Sequence, residues 1–150
     1  MDFDAIAKGM AMAVPFAGHL NLEITDISEG EAVVVLPDRP ELTNHVGTQH
    51  AGALFTVAET ASGAAFVGAF ATRLGDVVPL ARAAEINYVL PARGAVTASA
   101  KLGVDQAEAL AKLDSAGKVE FPCEVELTAG DGTRVATASV SWHVRLKDGD

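Results

Sequence analysis

Residues 51–71 read AGALFTVAETASGAAFVGAFA, and Glu59 is the one charged side chain among them. A helix that is apolar on all sides is buried, either in the centre of a protein or in a membrane. About 20 apolar residues would span a bilayer, but spanning helices favour Leu, Ile and Val and rarely carry a carboxylate at mid-length. Because Ala and Gly dominate here, we expect a long central helix that the protein itself encloses.

The two ends and one face of this helix can also be predicted. Residues 38–49 have a loop-like composition with Pro, Asn and Gly, so the helix is expected to begin between His50 and Gly52. Gly75 is the expected stop, and Arg73 suits the negative end of the helix dipole. Mostly small side chains recur along one row, which allows a β-sheet to approach the helix backbone closely. The row consists of Leu54, Ala58, Ala61 and Ala65.

Alternating apolar and polar residues on both sides of the helix predict β-strands. A strand pair is expected within residues 22–36, around a Glu29-Gly30 turn. Four later strands have apolar faces at Ile86, Tyr88 and Leu90, at Val96, Ala98, Ala100 and Leu102, at alternate residues from Val119 to Leu127, and at alternate residues from Ala136 to Leu146. A short N-terminal helix is expected over residues 2–14, and a small helical insertion near 105–117. The fold class is therefore α+β, with a curved antiparallel sheet wrapped around one long central α-helix.

Composition limits the functions open to the chain. At 150 residues, the length fits one domain with a substantial core. The net charge of −9 argues against unaided binding to nucleic acid or to an anionic membrane. Cys123 is the one cysteine and cannot form an internal disulfide, and the acidic N-terminus lacks the features of a secretory signal. We therefore expect a cytoplasmic protein.

The loop before the helix and the helix itself carry a spaced set of polar residues. Asn44 is followed six residues later by His50, and Glu59 lies nine residues beyond that histidine. These spacings resemble those of the hotdog-fold thioesterases, in particular the phenylacetic-acid-pathway-like (PaaI-like) branch. The resemblance extends over most of the chain, including YVLPARG at residues 88–94. It implies one hotdog domain over residues 1–150 and an acyl-CoA thioesterase activity.

Hydrolysis of a thioester needs a base or nucleophile and a site for the negative charge that develops on the carbonyl oxygen. Glu59 can be the base or nucleophile, because burial without a cationic partner raises the pKa of a carboxyl group. The backbone N–H groups of Ala51 and Gly52 can bind the negatively charged carbonyl oxygen, because the first N–H groups of a helix have no intrahelical acceptor. The resemblance implies that Asn44 orients the attacking water or the leaving group, and that His50 shapes the loop and bonds the substrate carbonyl or nearby backbone.

The resemblance also implies that acyl-CoA binds between two subunits of a homodimer or a dimer of dimers, with the acidic residue facing the helix start of the other subunit. Coenzyme A is then part of the substrate, and no separate cofactor is expected. Because the chain is acidic overall, the CoA phosphates need local cations, and Arg93 is the first candidate and Arg82 the second.

The chain departs from the family pattern at two positions. Ala51 occupies a position where the pattern has Gly, which keeps the backbone N–H but adds a methyl group. Gly63 stands where some relatives have Ser or Thr four residues after the acidic residue, and the adjacent Ser62 would point elsewhere on a helix. We expect substrate preference to differ at Ala51 and Gly63.

Three other interpretations remain open. Glu59 can form a structural ion pair with Arg82 or Arg93, since structural networks also hold buried carboxylates. His45 and Glu59 have the fourteen-residue spacing of hydroxyacyl thioester dehydratases, although the proline-glycine pairs of that family are absent. A protein of this fold can also bind or sense acyl-CoA without catalysis. No metal site is expected, because His45 and His50 lie in a loop without an accompanying cluster of carboxylates or cysteines.

Overall fold

The computed structural model of the protein describes residues 2–148, which form four α-helices and six β-strands. A short 3₁₀ turn, Pro40–Leu42, lies in the loop before the long helix. In chain order the elements are α1 (Phe3–Ala13), α2 (Pro15–His19), β1 (Glu23–Ser28), β2 (Glu31–Leu36), α3 (Ala51–Ala69), β3 (Val77–Tyr88), β4 (Val96–Leu102), α4 (Gln106–Ala116), β5 (Lys118–Ala129) and β6 (Arg134–Leu146).

The six strands form one antiparallel sheet in the order β1-β2-β4-β5-β6-β3. The alternation predicted from the sequence is confirmed on β4, β5 and β6, whose apolar positions are buried and face α3. α3 packs against all six strands, most extensively against β2 and β4. The sheet therefore encloses the long helix, and the predicted fold class is confirmed.

The central helix is buried along most of its length. α3 is the one helix within residues 2–148 that is long and apolar enough to cross a membrane, and 67% of that apolar window is buried inside the protein. The predicted row of mostly small side chains, Leu54, Ala58, Ala61 and Ala65, is buried. Near its end the helix touches β1 so closely that a Cβ atom on Gly68 would lie 1.9 Å from the Ser28 carbonyl oxygen.

An aromatic cluster anchors α3 to the sheet. Phe66, Phe70, Phe121 and Trp142 stack with ring centroids 4.9 to 6.3 Å apart. The indole N–H of Trp142 donates to the Ser62 hydroxyl at 3.0 Å, which in turn donates to a backbone carbonyl one turn earlier at 2.7 Å. These contacts fix the rotation of α3 and hold Ser62 buried in the core.

Three features differ from the sequence-based expectations: the end of α3, the presence of α2 and the end of β3. α3 ends at Ala69 rather than at Gly75, because Phe70 turns into the aromatic core and Arg73 closes the following turn by pairing with Asp76 and Asp114. α2 lies beyond the helix expected over residues 2–14, and Pro15 occupies its first turn, where proline is well accommodated.

The third difference lies at the end of β3. Leu90 falls beyond that strand, because the N–H groups of Val89 and Leu90 both donate to the Val135 carbonyl and the ladder ends there. The predicted insertion is confirmed as α4, capped by the Asp105 side chain and by Gly117 at φ 72°.

Candidate active site

The loop that leads into α3 is shaped by Asn44. The side-chain oxygen of Asn44 accepts the N–H groups of Val46 at 3.1 Å and Thr48 at 3.0 Å, and its amide nitrogen donates to the Thr48 hydroxyl at 2.7 Å. Asn and Asp commonly hold turns in this way. Within one chain, the Asn44 amide is therefore engaged by its own loop.

Gln49 ties the same loop to the end of the sheet, a role that the sequence analysis missed. Its side chain is 4% exposed, and its amide nitrogen donates to the carbonyls of Pro37 at 3.0 Å and Gly94 at 2.9 Å. Its backbone N–H donates to the Ala92 carbonyl at 2.8 Å. A polar residue directly before a helix start was the available signal, but its distant partners follow only from the fold.

His50 is the N-cap of α3. Its Nδ1 atom accepts the N–H of Gly52 at 2.8 Å, so a neutral His50 carries its proton on Nε2. Of the two backbone donors predicted for the oxyanion, Gly52 is thus already bonded to His50. The Ala51 N–H has no hydrogen-bond acceptor within residues 2–148, which leaves it free at the positive end of the helix dipole.

A cleft of about 330 Å³ opens at this helix start. Ala51 and Asn44 line it, together with the largely apolar segment at residues 88–92 that follows β3. Tyr88, another residue that the sequence analysis did not assign to the site, forms part of the wall and donates its hydroxyl to the Ala51 carbonyl at 3.1 Å. Because the cleft is mostly apolar with one free backbone donor, it suits a neutral acyl group with a polar carbonyl.

Glu59 is half-buried on α3, and burial raises the pKa of its carboxyl above the ordinary value. Within residues 2–148 its carboxylate has neither an ion pair nor a hydrogen-bond donor. Arg82 pairs instead with Glu120, and Arg93 contacts the Gly47 carbonyl at 3.4 Å. The structural ion pair that the sequence left open is therefore not formed in this chain.

One chain brings together only part of the predicted set. Asn44, His50 and Ala51 meet at the start of α3, but Glu59 lies eight residues further along the helix. At 1.5 Å per residue, this separation is about 12 Å along the axis. A thioester carbonyl bound at the Ala51 N–H is consequently out of reach of Glu59 in the same chain.

The two candidate arginines lie in different places. Arg93 is beside the loop of the cleft and lines a second cleft of about 410 Å³, which shares Leu90 and Pro91 with the first. Arg82 occupies an irregularity of β3 and pairs with Glu120 on the outer face of the sheet, opposite α3. The position of Arg93 therefore fits contact with a ligand in the cleft better than that of Arg82.

Other titratable groups do not gather into a second centre. Within the described part of the chain, no three His, Cys, Asp or Glu side chains are grouped so that they could hold a metal ion. Burial raises the pKa of Cys123 to about 12, so this thiol stays protonated in the core. His45 is exposed in the turn after Asn44.

Comparison with solved structures identifies the fold. A probable thioesterase of unknown function from Pseudomonas aeruginosa, PA5026, superposes with a TM-score of 0.85 at 23% identity, covering 98% of this chain and 97% of that one. PaaI from the phenylacetic acid degradation operon of Escherichia coli superposes with a TM-score of 0.70 at 23% identity, covering 95% of this chain and 91% of that one. A hypothetical thioesterase from Streptococcus pneumoniae, solved with coenzyme A, superposes with a TM-score of 0.71 at 21% identity, covering 95% of this chain and 98% of that one.

Comparison with curated protein sequences found no match. The hotdog fold predicted from the resemblance to PaaI-like thioesterases is confirmed by the structural neighbours. A family model described as a domain of unknown function, DUF4442, matches residues 4–144. The chain therefore belongs to the DUF4442 family and has the hotdog fold of the PaaI-like thioesterases.

Proposed function

We propose that the protein is an acyl-CoA thioesterase that hydrolyses the thioester of an acyl- or aryl-CoA. The observation that carries this proposal is the Glu59 carboxylate, which is the one charged group on α3 and has no ion pair or hydrogen-bond donor within residues 2–148. A carboxylate with a raised pKa is suited to accept a proton during a reaction near neutral pH. The structural neighbours that carry the name thioesterase, one of them solved with coenzyme A, support the same reaction.

In the simplest sequence of steps, Glu59 takes a proton from a water molecule as the water oxygen attacks the thioester carbonyl carbon. The Ala51 N–H donates to the carbonyl oxygen as it becomes negative. The tetrahedral intermediate then collapses, the carbon–sulfur bond breaks, and the CoA thiolate takes the proton from Glu59. Direct attack by Glu59, with later hydrolysis of the anhydride, uses the same groups. Neither route needs a separate cofactor.

The separation between Glu59 and Ala51 requires a second copy of the chain in this proposal. In the described part of the chain, residues 2–148, β3 pairs with β6 alone, so its other edge is unpaired, and most of its side chains are exposed. Exposed apolar residues also line the cleft, with Tyr88 49% and Val89 52% exposed. Pairing of two copies along β3 would cover these surfaces and bring Glu59 of one copy toward the helix start of the other.

Arg93 is proposed to contact the phosphates of CoA, because it lies beside both clefts and its charge has no carboxylate partner within residues 2–148. Arg82 is the weaker candidate, since Glu120 already neutralises it. In this arrangement the acyl thioester occupies the apolar cleft and the nucleotide extends toward Arg93.

Release of free thiol from a panel of aliphatic and aryl acyl-CoAs tests the proposal. We expect the wild-type protein to hydrolyse at least one of them and Glu59→Gln to lose at least about 100-fold in kcat, the lower end of a general base's contribution. Glu23→Gln, on exposed β1, is the matched control and should keep full activity. Equal rates for the wild-type and Glu59→Gln proteins on every substrate would exclude the proposal. Binding without turnover would identify an acyl-CoA sensor, and water loss from a 3-hydroxyacyl thioester would identify a dehydratase.

A further inference from the structure

The peptide group between Ala51 and Gly52, in the first turn of α3, is held at both of its ends. Its carbonyl oxygen, on Ala51, accepts a hydrogen bond from the Tyr88 hydroxyl at 3.1 Å. Its N–H, on Gly52, donates to Nδ1 of His50 at 2.8 Å. The end of a helix otherwise frays readily, because its first N–H groups lack intrahelical acceptors. These two side chains therefore fix the orientation of the peptide plane.

The two side chains belong to different parts of the fold. His50 is the cap of α3 itself, so its bond is local to the helix start. Tyr88 is the last residue of β3, where it pairs with the buried Ala136 of β6. The N–H groups of the next two residues both donate to the Val135 carbonyl, so the backbone around Tyr88 is anchored to the sheet. Through the Tyr88 hydroxyl, the end of β3 is connected directly to the first turn of α3.

The held peptide adjoins the free backbone donor of the site. The Ala51 N–H, which has no acceptor within residues 2–148, belongs to the preceding peptide group. The two peptide groups share the Ala51 Cα atom, so a change in the backbone torsions there that tilts one peptide also redirects the other. Ala51 and Tyr88 both line the cleft of about 330 Å³. A ligand in this cleft would therefore meet the N–H and the tyrosine that orients it together.

We infer that Tyr88 is a positioning residue, whose hydroxyl keeps the Ala51 N–H directed at the carbonyl oxygen of the substrate. The inference rests on the proposed thioesterase function, in which that N–H stabilises the developing negative charge. A donor that is already oriented needs no rearrangement as the charge develops, and for this reason such donors are effective. Tyr88 acts through the Ala51 backbone and takes no part in the proton transfers of Glu59.

Tyr88→Phe tests the inference, because it removes the hydroxyl but keeps the ring in the wall of the cleft. The matched control is Gln106→Met. The Gln106 side-chain amide donates to the Ala69 carbonyl at 2.8 Å, so it makes the corresponding bond at the other end of α3. If holding α3 in the fold were the whole role of Tyr88, both variants would have the same effect on activity. The measurements are kcat, KM, the free energy of unfolding, and hydrogen exchange of the Gly52 amide by NMR.

We expect Tyr88→Phe to lower kcat by about tenfold or more and to leave KM within about twofold, because a misdirected donor weakens binding of the transition state more than binding of the substrate. Gln106→Met should keep the wild-type kcat even where it lowers stability. Exchange of the Gly52 amide should be about two- to tenfold faster in Tyr88→Phe, the range expected for the loss of one hydrogen bond. It should be unchanged in Gln106→Met.

A wild-type kcat in Tyr88→Phe, or an equal fall in both variants, would overturn the inference while leaving the thioesterase proposal intact. A rise in KM with kcat unchanged would show that the hydroxyl binds the substrate rather than orienting the backbone, which also overturns it. Absence of hydrolysis by the wild-type protein would instead remove the proposed function. Unchanged exchange of the Gly52 amide in Tyr88→Phe would overturn the inference whether or not the protein hydrolyses a thioester.

Discussion

The ionised form of Glu59 is expected to lower the stability of the fold, because its carboxyl is half-buried. Burial raises the pKa of its carboxyl from the ordinary value of 4.5, so the folded state binds the proton more tightly than the unfolded chain does. Below the ordinary pKa both states are protonated, and the residue has no effect on stability through its charge. As the pH rises through that value, the unfolded chain ionises first, so stability falls until the pH exceeds the raised pKa. Such a cost is typical of groups retained for chemistry rather than for folding.

Glu59→Gln should therefore stabilise the protein at neutral pH, because it removes the cost of ionising a half-buried carboxyl. Melting temperatures measured across the pH range should be higher for the variant at pH 7 and should converge with the wild type near pH 4, where glutamic acid is mostly protonated. Glu23→Gln, which also removes one carboxylate but at an exposed position, is the control and should leave the melting temperature at pH 7 unchanged. A melting temperature below that of the wild type at pH 7 would indicate that the Glu59 carboxylate makes a stabilising contact.

The central helix joins the site to the core. Its first turn holds the His50 cap and the free Ala51 N–H, and its last turn packs against β1. The aromatic cluster around Phe66 and Trp142 fixes its rotation between these ends. The direction in which Glu59 points is thus set by how these core contacts fix the rotation of the helix.

Gly68→Ala tests how closely the last turn of α3 must approach β1. The added methyl would meet the Ser28 carbonyl and the side chain of Ile27, so the helix or the strand has to shift. We expect a loss of about 1–3 kcal/mol in the free energy of unfolding, the usual range for overpacking, measured by urea denaturation. Gly9→Ala, in α1, is the control: a Cβ atom there would meet nothing within 4 Å, so this variant should be neutral or stabilising. An unchanged unfolding midpoint for Gly68→Ala would mean that β1 can move away from the helix without cost.

The sheet has two edge strands, β1 and β3, of which β3 is the longer at twelve residues. Within residues 2–148 one side of β3 is unpaired, and long exposed edge strands favour pairing with another chain. Within one chain, Glu59 and the Ala51 N–H are about 12 Å apart along the axis of α3. Oligomerisation and catalysis are therefore linked in the proposed function.

Ala84→Lys tests this link. Ala84 lies opposite the buried Val140 on the face of the sheet that carries α3, yet it is exposed in the single chain, so lysine should be compatible with the fold. Sedimentation should show dissociation, thioester hydrolysis should fall by at least tenfold, and the circular dichroism spectrum should be unchanged. Ser99→Lys, at an exposed position of the interior strand β4, should affect none of these. Full activity in a monomeric Ala84→Lys protein would contradict a site shared between two copies.

The sequence alone determined the long apolar helix, the alternating strands, the insertion capped by Asp105 and Gly117, and the spacing of Asn44, His50 and Glu59. These features depend on local periodicity and on capping chemistry, both of which can be read along the chain. The hotdog fold followed from combining them with a family resemblance.

Only the tertiary structure showed that His50 accepts a hydrogen bond from the Gly52 N–H, and that the Gln49 side chain donates to the carbonyls of Pro37 and Gly94. It also showed that packing requires glycine at position 68 but not at position 63. In the structure α3 ends at Ala69 rather than at the expected Gly75, because Phe70 enters the aromatic core. Each of these depends on which distant groups meet, and a hydrogen bond or a close contact between residues far apart in the chain leaves no periodic signal in the sequence.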